Sequence, residues 1–391
     1  MDFCLPQSVQ RALDALTKAG YEAYLVGGCV RDALRGTTPH DYDIATNALP
    51  DETLAVFSDQ RTIATGLRHG TVTVLLDKMP VEITTYRVDG TYADHRRPDT
   101  VTFTSSLGED LARRDFTVNA MAYHPEYGIV DLYSGRRDLA DGIIRAVGEP
   151  MARFSEDALR ILRALRFSAR FGFRIEKRTR EAVFELADTL SLIAPERVRE
   201  ELYGILAAPD AERVLSEYKA VLAVVLPQGA LTEAFGRLPP DDILLRLADF
   251  LLPSGVDGAG AALAALRTDN KTILWVQNVL SVYKTEITAE RECVCRLLRR
   301  VGEQALRGGF ALRSAHGIQD GAAVDLMENI LADNFPYTLA MLTVRGEDLM
   351  SLGVPRGSRI GELLEHLYTA VIRGEVENTK KQLLEYGKRY I

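Results

Sequence analysis

The chain has 391 residues and a formal net charge of −8, with 47% hydrophobic and 26% charged residues. This length favours more than one domain, and the composition is typical of a soluble globular protein. No apolar run approaches the roughly 18 residues of a membrane helix, and the N-terminus lacks the pattern of a signal peptide. The four cysteines match no zinc spacing. We therefore expect reduced thiols, a cytoplasmic location and no evident protein partner.

The first part of the chain alternates predicted helices and strands. Residues 7–18 have helical periodicity, and "YEAYLVGG" predicts a strand that enters a glycine turn before a short helix ending at Gly36. "DYDIAT" predicts a strand with Asp41 and Asp43 on one face. A helix over "PDETLAVF", capped by Asn47 or a neighbour, and a hairpin of "GTVTVLLD" and "VEITTYR" follow. These elements predict a small mixed or mainly antiparallel sheet.

From about Phe154 onward the pattern is helical, without convincing alternating strands. The fold class is therefore predicted as α+β, with an N-terminal domain containing the sheet and a long all-helical remainder.

The paired aspartates Asp41 and Asp43 suggest a metal site. Two carboxylates this close are costly unless a cation lies between them. Two Mg²⁺ ions, which prefer carboxylate and phosphate oxygens, would satisfy both groups and steady a leaving pyrophosphate. Upstream, Gly27 and Gly28 would let backbone amides approach a triphosphate, and Arg31 could pair with a phosphate. The alternatives are a glycine turn with two surface aspartates, and a metal phosphohydrolase for which further spaced ligands are missing.

Five motifs in order make the resemblance specific. They are "LVGGCVRDALRG…DYDIAT", "RRDFTVNAMAY", "DLYSGRRDLADGIIRAVGEP", "EDALRILRALRFSARFGF" and "APERVREEL". The chain resembles the class II tRNA nucleotidyltransferases, or CCA-adding enzymes, of the poly(A) polymerase family. The resemblance implies a catalytic nucleotidyltransferase head over 1–142, a nucleotide-selecting and RNA-binding neck over 143–218, a body over 219–286 and a tail over 287–391 that contacts the tRNA elbow.

The resemblance also implies roles for residues of the head. Asp41 and Asp43 match the catalytic metal-binding carboxylates, while Glu82 is either a third carboxylate or a solvated strand residue. Arg114 and Asp115 match residues that hold the ribose of the incoming nucleotide, with Asn119 in support. A helix-capping role for Asp115 is compatible with this function.

In "EDALR", Asp157 and Arg160 are predicted to lie at i and i+3 on one helix. The resemblance implies that this pair reads the nucleobase, and Glu156 is expected to steady Arg160 or the helix start. A carboxylate beside a guanidinium complements the donor and acceptor edges of cytosine and adenine, whereas uracil and guanine would leave polar groups unpaired. The alternative is an ordinary intrahelical salt bridge.

Residues 160–180 contain eight basic residues and one acidic residue. We expect Arg163 and Arg166 to contact the nucleotide, and Arg170, Arg174 and Lys177 to contact the tRNA backbone. The alternative is a solvated helix face. "APERVREEL" predicts a packing element of the neck, in which Arg197 is structural.

The loop "TTYRVDGTYADHRRPDTVTF" resembles a flexible segment that accompanies full CCA synthesis in the family. It contains Arg87, Asp94, Arg96 and Arg97, and a surface hairpin is the alternative. The predicted function is template-independent addition of C, C and A to the tRNA 3′ end from CTP and ATP, with two Mg²⁺ ions and contacts to the acceptor and T arm. The alternatives are a poly(A) polymerase, a partial CC- or A-adding enzyme, and a catalytically inactive RNA-binding protein.

Overall fold

The structure, a computed structural model, describes residues 3, 5–63, 66–89 and 101–391. The chain forms two compact units, Met1–Pro227 and Gln228–Ile391. Every residue predicted to take part in catalysis lies in the first unit. The domain boundaries expected at 142, 218 and 286 stay predictions.

The first unit combines helices with three small groups of paired strands. Its strands are β1 (Ala23–Val26), β2 (Asp43–Thr46), β3 (Arg61–Ile63), β4 (Thr71–Leu76), β5 (Met79–Thr85), β6 (Arg87–Asp89), β7 (Val101–Phe103), β8 (Ala122–His124), β9 (Gly128–Val130), β10 (Ile143–Ile144) and β11 (Arg174–Ile175). Its helices are α1 (Gln7–Lys18), α2 (Gly28–Leu34), α3 (Pro50–Val56), α4 (Leu107–Ala112), α5 (Gly135–Asp141), α6 (Pro150–Glu156), α7 (Leu159–Phe171), α8 (Lys177–Glu185), α9 (Pro195–Leu206), α10 (Ala211–Glu217) and α11 (Lys219–Val225).

The main sheet has the strand order β3-β4-β5-β2-β1-β8-β9. Its β2–β5 pair is parallel and its other described pairs are antiparallel. The predicted mixed sheet and the predicted β4–β5 hairpin are therefore confirmed. Because β2 lies between β1 and β5, Asp43 at the start of β2 pairs with Val26 at the end of β1 on one side and with Glu82 in the middle of β5 on the other.

The core of this sheet explains why α1 and the strands form where they do. Helix α1 buries Val9, Leu13 and Leu16 at helical spacing, and they pack in one cluster with Ile44 and Ile83 of the strands. Burial of such side chains is worth about 1.5–3 kcal/mol each. Because successive side chains of a strand point to opposite faces of the sheet, the residues that pack in this cluster determine which strand residues face away from the core.

Of the two residues expected to cap α3, Asn47 or a neighbour, it is the neighbour that does so. The Asn47 side chain accepts from the Glu22 N–H, and α3 begins after Leu49, whose N–H donates to Glu52. One expectation about local structure is wrong. The region after Phe154 also contains a strand, because β11 pairs in parallel with β10. A two-residue strand is too short to show the alternation on which a strand prediction depends.

The second unit is helical in the residues described. Its α-helices are α12 (Ile243–Leu251), α13 (Gly255–Ala265), α14 (Asn270–Lys284), α15 (Arg291–Val301), α16 (Glu303–Ala315), α17 (Gly321–Ala332), α18 (Gly346–Ser351), α19 (Ser358–Arg373) and α20 (Lys380–Gly387). A buried carboxylate, Asp249, accepts from the Thr232 hydroxyl at 2.6 Å and lies 2.7 Å from Nε2 of His316. This network joins three segments of the unit.

Cys29, Cys293 and Cys295 are free thiols. Over the described ranges, each helix is too short or too polar to cross a membrane.

Gly135 opens α5 where it packs against the turn at Thr117–Asn119. A Cβ at Gly135 would lie 2.2 Å from the Thr117 carbonyl oxygen and 2.9 Å from Cγ of Met121. Gly135→Ala should therefore lower the free energy of unfolding by about 1–3 kcal/mol, the usual cost of overpacking. The midpoint of urea unfolding measures this loss.

Gly108→Ala is the matched control, because a Cβ there meets Leu132 at an ordinary 3.4 Å. Gly108 lies in α4, so alanine should be neutral or stabilise the helix by up to ~1 kcal/mol. Equal unfolding midpoints for the two variants would show that the 117–119 turn shifts to accept the new Cβ of residue 135 at little cost in stability.

Candidate active site

The turn between β1 and α2 requires glycine. Gly27 has a φ of 75°, in the left-handed region that favours glycine. A Cβ there would lie 3.0 Å from Nη1 of Arg114 and 4.0 Å from Oδ2 of Asp43. The absence of a side chain therefore brings the backbone against a guanidinium and a carboxylate. Gly28 opens α2 next to this turn and stays a predicted nucleotide contact.

Three carboxylates lie close together beside this turn. The expectation that Asp41 and Asp43 share a strand is wrong, because β2 begins at Asp43 and Asp41 precedes it in an exposed loop. Tyr42 between them is buried. Strand β5 places Glu82 in register with Asp43. Burial and the charge of Glu82 raise the pKa of Asp43 against the opposing effect of Arg114, and Asp41 raises it further.

Because burial is the main cause of this raised pKa and the charge of Glu82 the next, a cation bound beside Asp43 would favour its ionised form. No three His, Cys, Asp or Glu side chains of the described residues converge as a complete metal-binding set. Mg²⁺ commonly takes only one or two protein carboxylates and completes its coordination with water and substrate phosphates. The residues present, with Arg114 Nε buried and without a hydrogen-bond partner among the described residues, therefore fit a magnesium–triphosphate group.

Asp115, the predicted ribose contact, is held by four hydrogen bonds. Its Oδ1 accepts from Nδ2 of Asn119 at 3.0 Å and from the Phe116 N–H at 2.8 Å. Its Oδ2 accepts from Nε and Nη2 of Arg163 at 2.9 and 2.7 Å. Burial raises the pKa of Asp115, but Arg163 and the other donors outweigh it, so the pKa lies below its usual value. The carboxylate is consequently fixed and ionised.

Arg31, the predicted phosphate contact, is buried beside this group. Its Nη1 donates to Oδ1 of Asn119 at 2.6 Å, and its Nε donates to Asp32 at 2.9 Å. The guanidinium also lies over the rings of Phe167 and Phe171, at 5.4 and 4.8 Å from their centroids. Arg31 thus connects α2 to Asn119 and α7, and its contact with phosphate stays a prediction.

The expectation that Asp157 and Arg160 lie at i and i+3 on one helix is wrong. Helix α6 ends at Glu156, and Asp157 has extended backbone (φ −141°, ψ 101°) in the gap before α7. Its Oδ1 accepts from the Leu159 N–H at 3.1 Å, and its Oδ2 accepts from Nη2 of Arg197 at 3.0 Å. The carboxylate is therefore directed by α7 and α9 rather than by a helical turn.

Arg160 is anchored by groups on either side of it. Its Nη1 donates to Glu156 at 2.9 Å and to the Arg153 carbonyl at 3.2 Å, and its Nη2 donates to the Arg113 carbonyl at 3.1 Å. The expected support from Glu156 is thus confirmed. Of the five N–H donors of a guanidinium, these contacts occupy three. Nε and one Nη2 hydrogen remain for a ligand.

The next two arginines of α7 face an acid that the sequence analysis missed. Glu201 is buried, with its Oε1 3.7 Å from Nη1 of Arg163 and its Oε2 2.7 Å from Nε of Arg166. Burial raises the pKa of Glu201 against both arginines. Arg197 and Glu201 are four residues apart on α9, and this spacing alone places them on one face. This spacing was the sequence feature from which a shared position of Arg197 and Glu201 could have been predicted.

The predicted RNA contacts differ from these inner arginines in being exposed. Arg170, Arg174 and Lys177 are exposed, and Arg170 lies over the Phe171 ring at 5.5 Å. Arg35, which follows the end of α2 and which sequence reasoning also missed, lies over the same ring at 4.3 Å. Neither Arg35 nor Arg170 forms an ion pair with any residue that the structure describes. We call these two arginines with Phe171 the arginine–phenylalanine patch.

The predicted specificity loop is only partly described. Arg87 begins β6, where its N–H donates to Oδ1 of Asp110 at 3.4 Å and its guanidinium donates to the His69 carbonyl. Asp94, Arg96 and Arg97 lie outside the described residues.

Known proteins resemble this chain along its whole length. Residues 23–145 match the profile of the "Poly A polymerase head domain", 172–228 match "Probable RNA and SrmB- binding site of polymerase A", and 249–386 match "tRNA nucleotidyltransferase domain 2 putative". The CCA-adding enzyme of Lactobacillus delbrueckii subsp. bulgaricus is 35% identical over 389 residues, covering 96% of this chain and 95% of the relative. The chain belongs to the CCA-adding enzyme family. It is an enzyme of the tRNA nucleotidyltransferase class.

Other members support this assignment. The CCA-adding enzyme of Streptococcus suis is 36% identical over 408 residues, covering 98% of this chain and 97% of the relative. The Bacillus stearothermophilus CCA-adding enzyme in complex with CTP has 32% identity and a TM-score of 0.80, with 98% and 97% of the two chains covered. The predicted family, enzyme class and α+β fold are therefore confirmed.

Glu82→Gln should lower the pKa of Asp43 in the metal-free enzyme. The substitution removes one neighbouring negative charge but leaves burial, the larger cause of the rise, in place. The carboxylate then stays ionised to lower pH, so the acid limb of the pH–activity profile should also move to lower pH. NMR titration of the Asp43 carboxyl carbon measures the first effect.

Glu181→Gln, at an exposed position of α8, is the control and should leave that titration unchanged. If Glu82→Gln gives the same Asp43 titration as the unaltered enzyme, the charge of Glu82 does not act on Asp43.

Proposed function

We propose that this enzyme adds C, C and A in turn to the 3′ end of tRNA, from CTP and ATP and without a nucleic-acid template. The proposal rests on the carboxylates around Asp43 beside the Gly27 turn and Arg114, in a chain whose relatives over almost its full length are CCA-adding enzymes. The expected reaction is attack of the tRNA 3′-hydroxyl oxygen on the α-phosphorus, with release of pyrophosphate.

Asp41 and Asp43 would hold magnesium ions, with Glu82 as a further carboxylate at the same place. The ions would supply neutralising charge for the triphosphate and for the departing pyrophosphate. Among the described residues, the charge of Arg114 lowers the pKa of Asp43 against the effects of burial and of the neighbouring carboxylates. Binding of a magnesium-loaded nucleotide is therefore favoured by relief of like-charge repulsion.

The remaining residues would bind and orient the nucleotide. Gly27 and Gly28 leave room for the triphosphate beside Arg114. The carboxylate of Asp115, held ionised by Arg163, can accept a hydrogen bond from a ribose hydroxyl. This arrangement would favour ribonucleotides over deoxyribonucleotides.

Asp157 and Arg160 would read the base. Arg160 has donors left on Nε and Nη2 for the ring nitrogen of cytosine or adenine, and the Asp157 carboxylate can accept from the exocyclic amine. Uracil and guanine would set acceptor against acceptor and donor against donor, which costs about 1–3 kcal/mol for each unpaired group. Selection of C and A would therefore come from protein side chains.

The arginine–phenylalanine patch would bind tRNA phosphates, with Arg174 and Lys177 nearby in sequence. The guanidiniums of Arg31, Arg35 and Arg170 all lie beside the Phe171 ring, and this concentration of positive charge favours binding of an anion. Such contacts would position the tRNA without reading its sequence. The contact of the 287–391 tail with the tRNA elbow is proposed from the family resemblance.

We also propose that the enzyme acts in the cytoplasm. Its free thiols are typical of a reducing compartment, and tRNA and nucleoside triphosphates are cytoplasmic substrates.

A poly(A) polymerase activity is the second candidate, because the head profile carries that description. A tRNA transcript that lacks its terminal CCA distinguishes the candidates when CTP and ATP are supplied separately and together. We expect two added residues with CTP alone and three with both nucleotides. A long A tail would favour the second candidate, and a stop after CC would favour a partial enzyme.

Asp43→Ala in the same assay should reduce the rate of incorporation roughly 100- to 1,000-fold, because the charge that holds the magnesium–triphosphate group is lost. Binding of tRNA, measured by filter binding, should stay within about threefold, since phosphate contacts elsewhere provide most of it. Asp59→Ala, which removes an exposed aspartate of the same unit, should change neither quantity. Incorporation at the unaltered rate in Asp43→Ala would refute the metal-binding role.

The double variant Arg35→Ala with Arg170→Ala should weaken tRNA binding about tenfold. The slope of the logarithm of the tRNA association constant against the logarithm of the salt concentration should become less steep by about two, one for each lost phosphate contact. The KM for CTP should hold, because neither side chain belongs to the proposed nucleotide site. Arg137→Ala removes an exposed arginine that already pairs with Asp141, and it should leave the salt dependence unchanged. If the double variant keeps the unaltered slope, the patch does not bind the tRNA backbone.

A further inference from the structure

The two halves of the proposed base reader are held in different ways. Arg160 is anchored by Glu156 and by two backbone carbonyls. Asp157 lies outside both helices, and its carboxylate is held by the nearby Leu159 N–H and by Arg197 of α9. Among the described residues, Arg197 therefore provides the side-chain hydrogen bond to the acceptor half of the reader.

We propose that Arg197 is a positioning residue that sets the nucleotide selectivity of the enzyme by orienting the Asp157 carboxylate. The proposal rests on the proposed function, in which Asp157 accepts from the exocyclic amine of the base. In an extended backbone segment, no helical turn restricts the direction of an aspartate side chain. With Oδ1 bound to Leu159 N–H and Oδ2 bound to Nη2 of Arg197, both oxygens have fixed positions.

The hydrogen-bonding capacity of the carboxylate allows this arrangement to coexist with a bound base. A carboxylate offers about four lone-pair sites, and the two bonds occupy one site on each oxygen. One site on each oxygen remains available to an amine. Arg197 therefore need not release Asp157 when a nucleotide binds, and the two contacts act together.

The exposure of the pair separates a role in selectivity from a role in folding. The side chains of Arg197 and Asp157 are 29% and 16% exposed, so the ion pair is partly solvated. Solvent screens such a pair, so it contributes less to stability than a fully buried pair would. The loss of Arg197 should consequently appear in the choice of nucleotide before it appears in the unfolding of the protein.

The position of Arg197 on α9 is consistent with this role. Glu201, one turn later on the same face, contacts Arg163 and Arg166 of α7. Arg163 in turn holds Asp115, the proposed ribose contact. One face of α9 thus supports side chains at both the base and the ribose ends of the proposed nucleotide site.

The test is the ratio of kcat/KM for CTP to kcat/KM for UTP, measured with the full-length enzyme and a tRNA transcript lacking CCA. Arg197→Met should lower this ratio about tenfold through a higher KM for CTP, because one well-oriented polar contact is worth about that factor. The kcat with CTP should change less than about threefold. Arg197→Lys, which keeps a cation and a donor, should restore most of the ratio.

Arg178→Met is the matched control, because Arg178 forms an ion pair with Glu149 on the surface of the same unit. It should leave the ratio unchanged. Equal losses for CTP and UTP in Arg197→Met would mean that Arg197 supports the fold alone, and they would overturn the proposal.

Asp157→Ala distinguishes failure of this inference from failure of the proposed function. If Asp157→Ala lowers the ratio and Arg197→Met does not, the base reader stands and the role of Arg197 is refuted. If Asp157→Ala keeps the ratio, base reading by Asp157 itself is refuted, and Arg197 loses its role with it. In the supported outcome, adding Arg197→Met to Asp157→Ala lowers the ratio no further, because both changes remove the same contact.

Discussion

The doubly hydrogen-bonded ion pair of Asp115 with Arg163 determines how the rest of the active site can be arranged. Asp115 lies in the "RRDFTVNA" motif of the head, and Arg163 lies 48 residues later on α7. Separating the pair would remove two hydrogen bonds between charged groups, each worth about 1.5–3 kcal/mol. The 113–119 segment and α7 are therefore held in one geometry, and this geometry permits the contacts of Arg160 with the Arg113 carbonyl and of Arg31 with Asn119.

The carboxylates around Asp43 have the opposite electrostatic balance. At Asp115 the donors outweigh burial and the pKa falls, whereas at Asp43 burial and neighbouring acids outweigh Arg114 and the pKa rises. The donors around Asp115 belong to the protein, whereas the proposed magnesium ions would supply the opposing charge at Asp43. The two carboxylates therefore lie in different electrostatic environments, one balanced by hydrogen-bond donors and one crowded by other acids.

Sequence reasoning was most successful where a local pattern carries the information. The helix over 7–18, the β4–β5 hairpin and the glycine turn follow from periodicity and from the conformational freedom of glycine. The family resemblance identified the chemistry of the head. The placement of Asp41 outside β2 and the break at Asp157 were not predictable, because both depend on where an element ends, which residue spacing alone does not determine.

Side-chain partners distant in sequence were harder to predict. The sequence left Glu82 open between a third carboxylate and a solvated residue, and the parallel pairing of β2 with β5 places it beside Asp43. The contact of Arg197 with Asp157 was not predicted, because it depends on the approach of α9 to the start of α7. The arginines at 160, 163 and 166 looked alike in sequence, yet each has different partners in the fold. Tertiary packing decides which arginine of a regular stripe remains available to a ligand.

The hydrogen bond from Arg160 to the Arg113 carbonyl has an evolutionary consequence. A backbone carbonyl is present whatever side chain the residue carries, so substitutions at position 113 leave this anchor in place. The other anchors of the proposed base reader are side chains, namely Glu156 for Arg160 and Arg197 for Asp157. Sequence drift at position 156 would therefore act on the arginine half, and drift at position 197 would act on the aspartate half, so that the two halves can change separately.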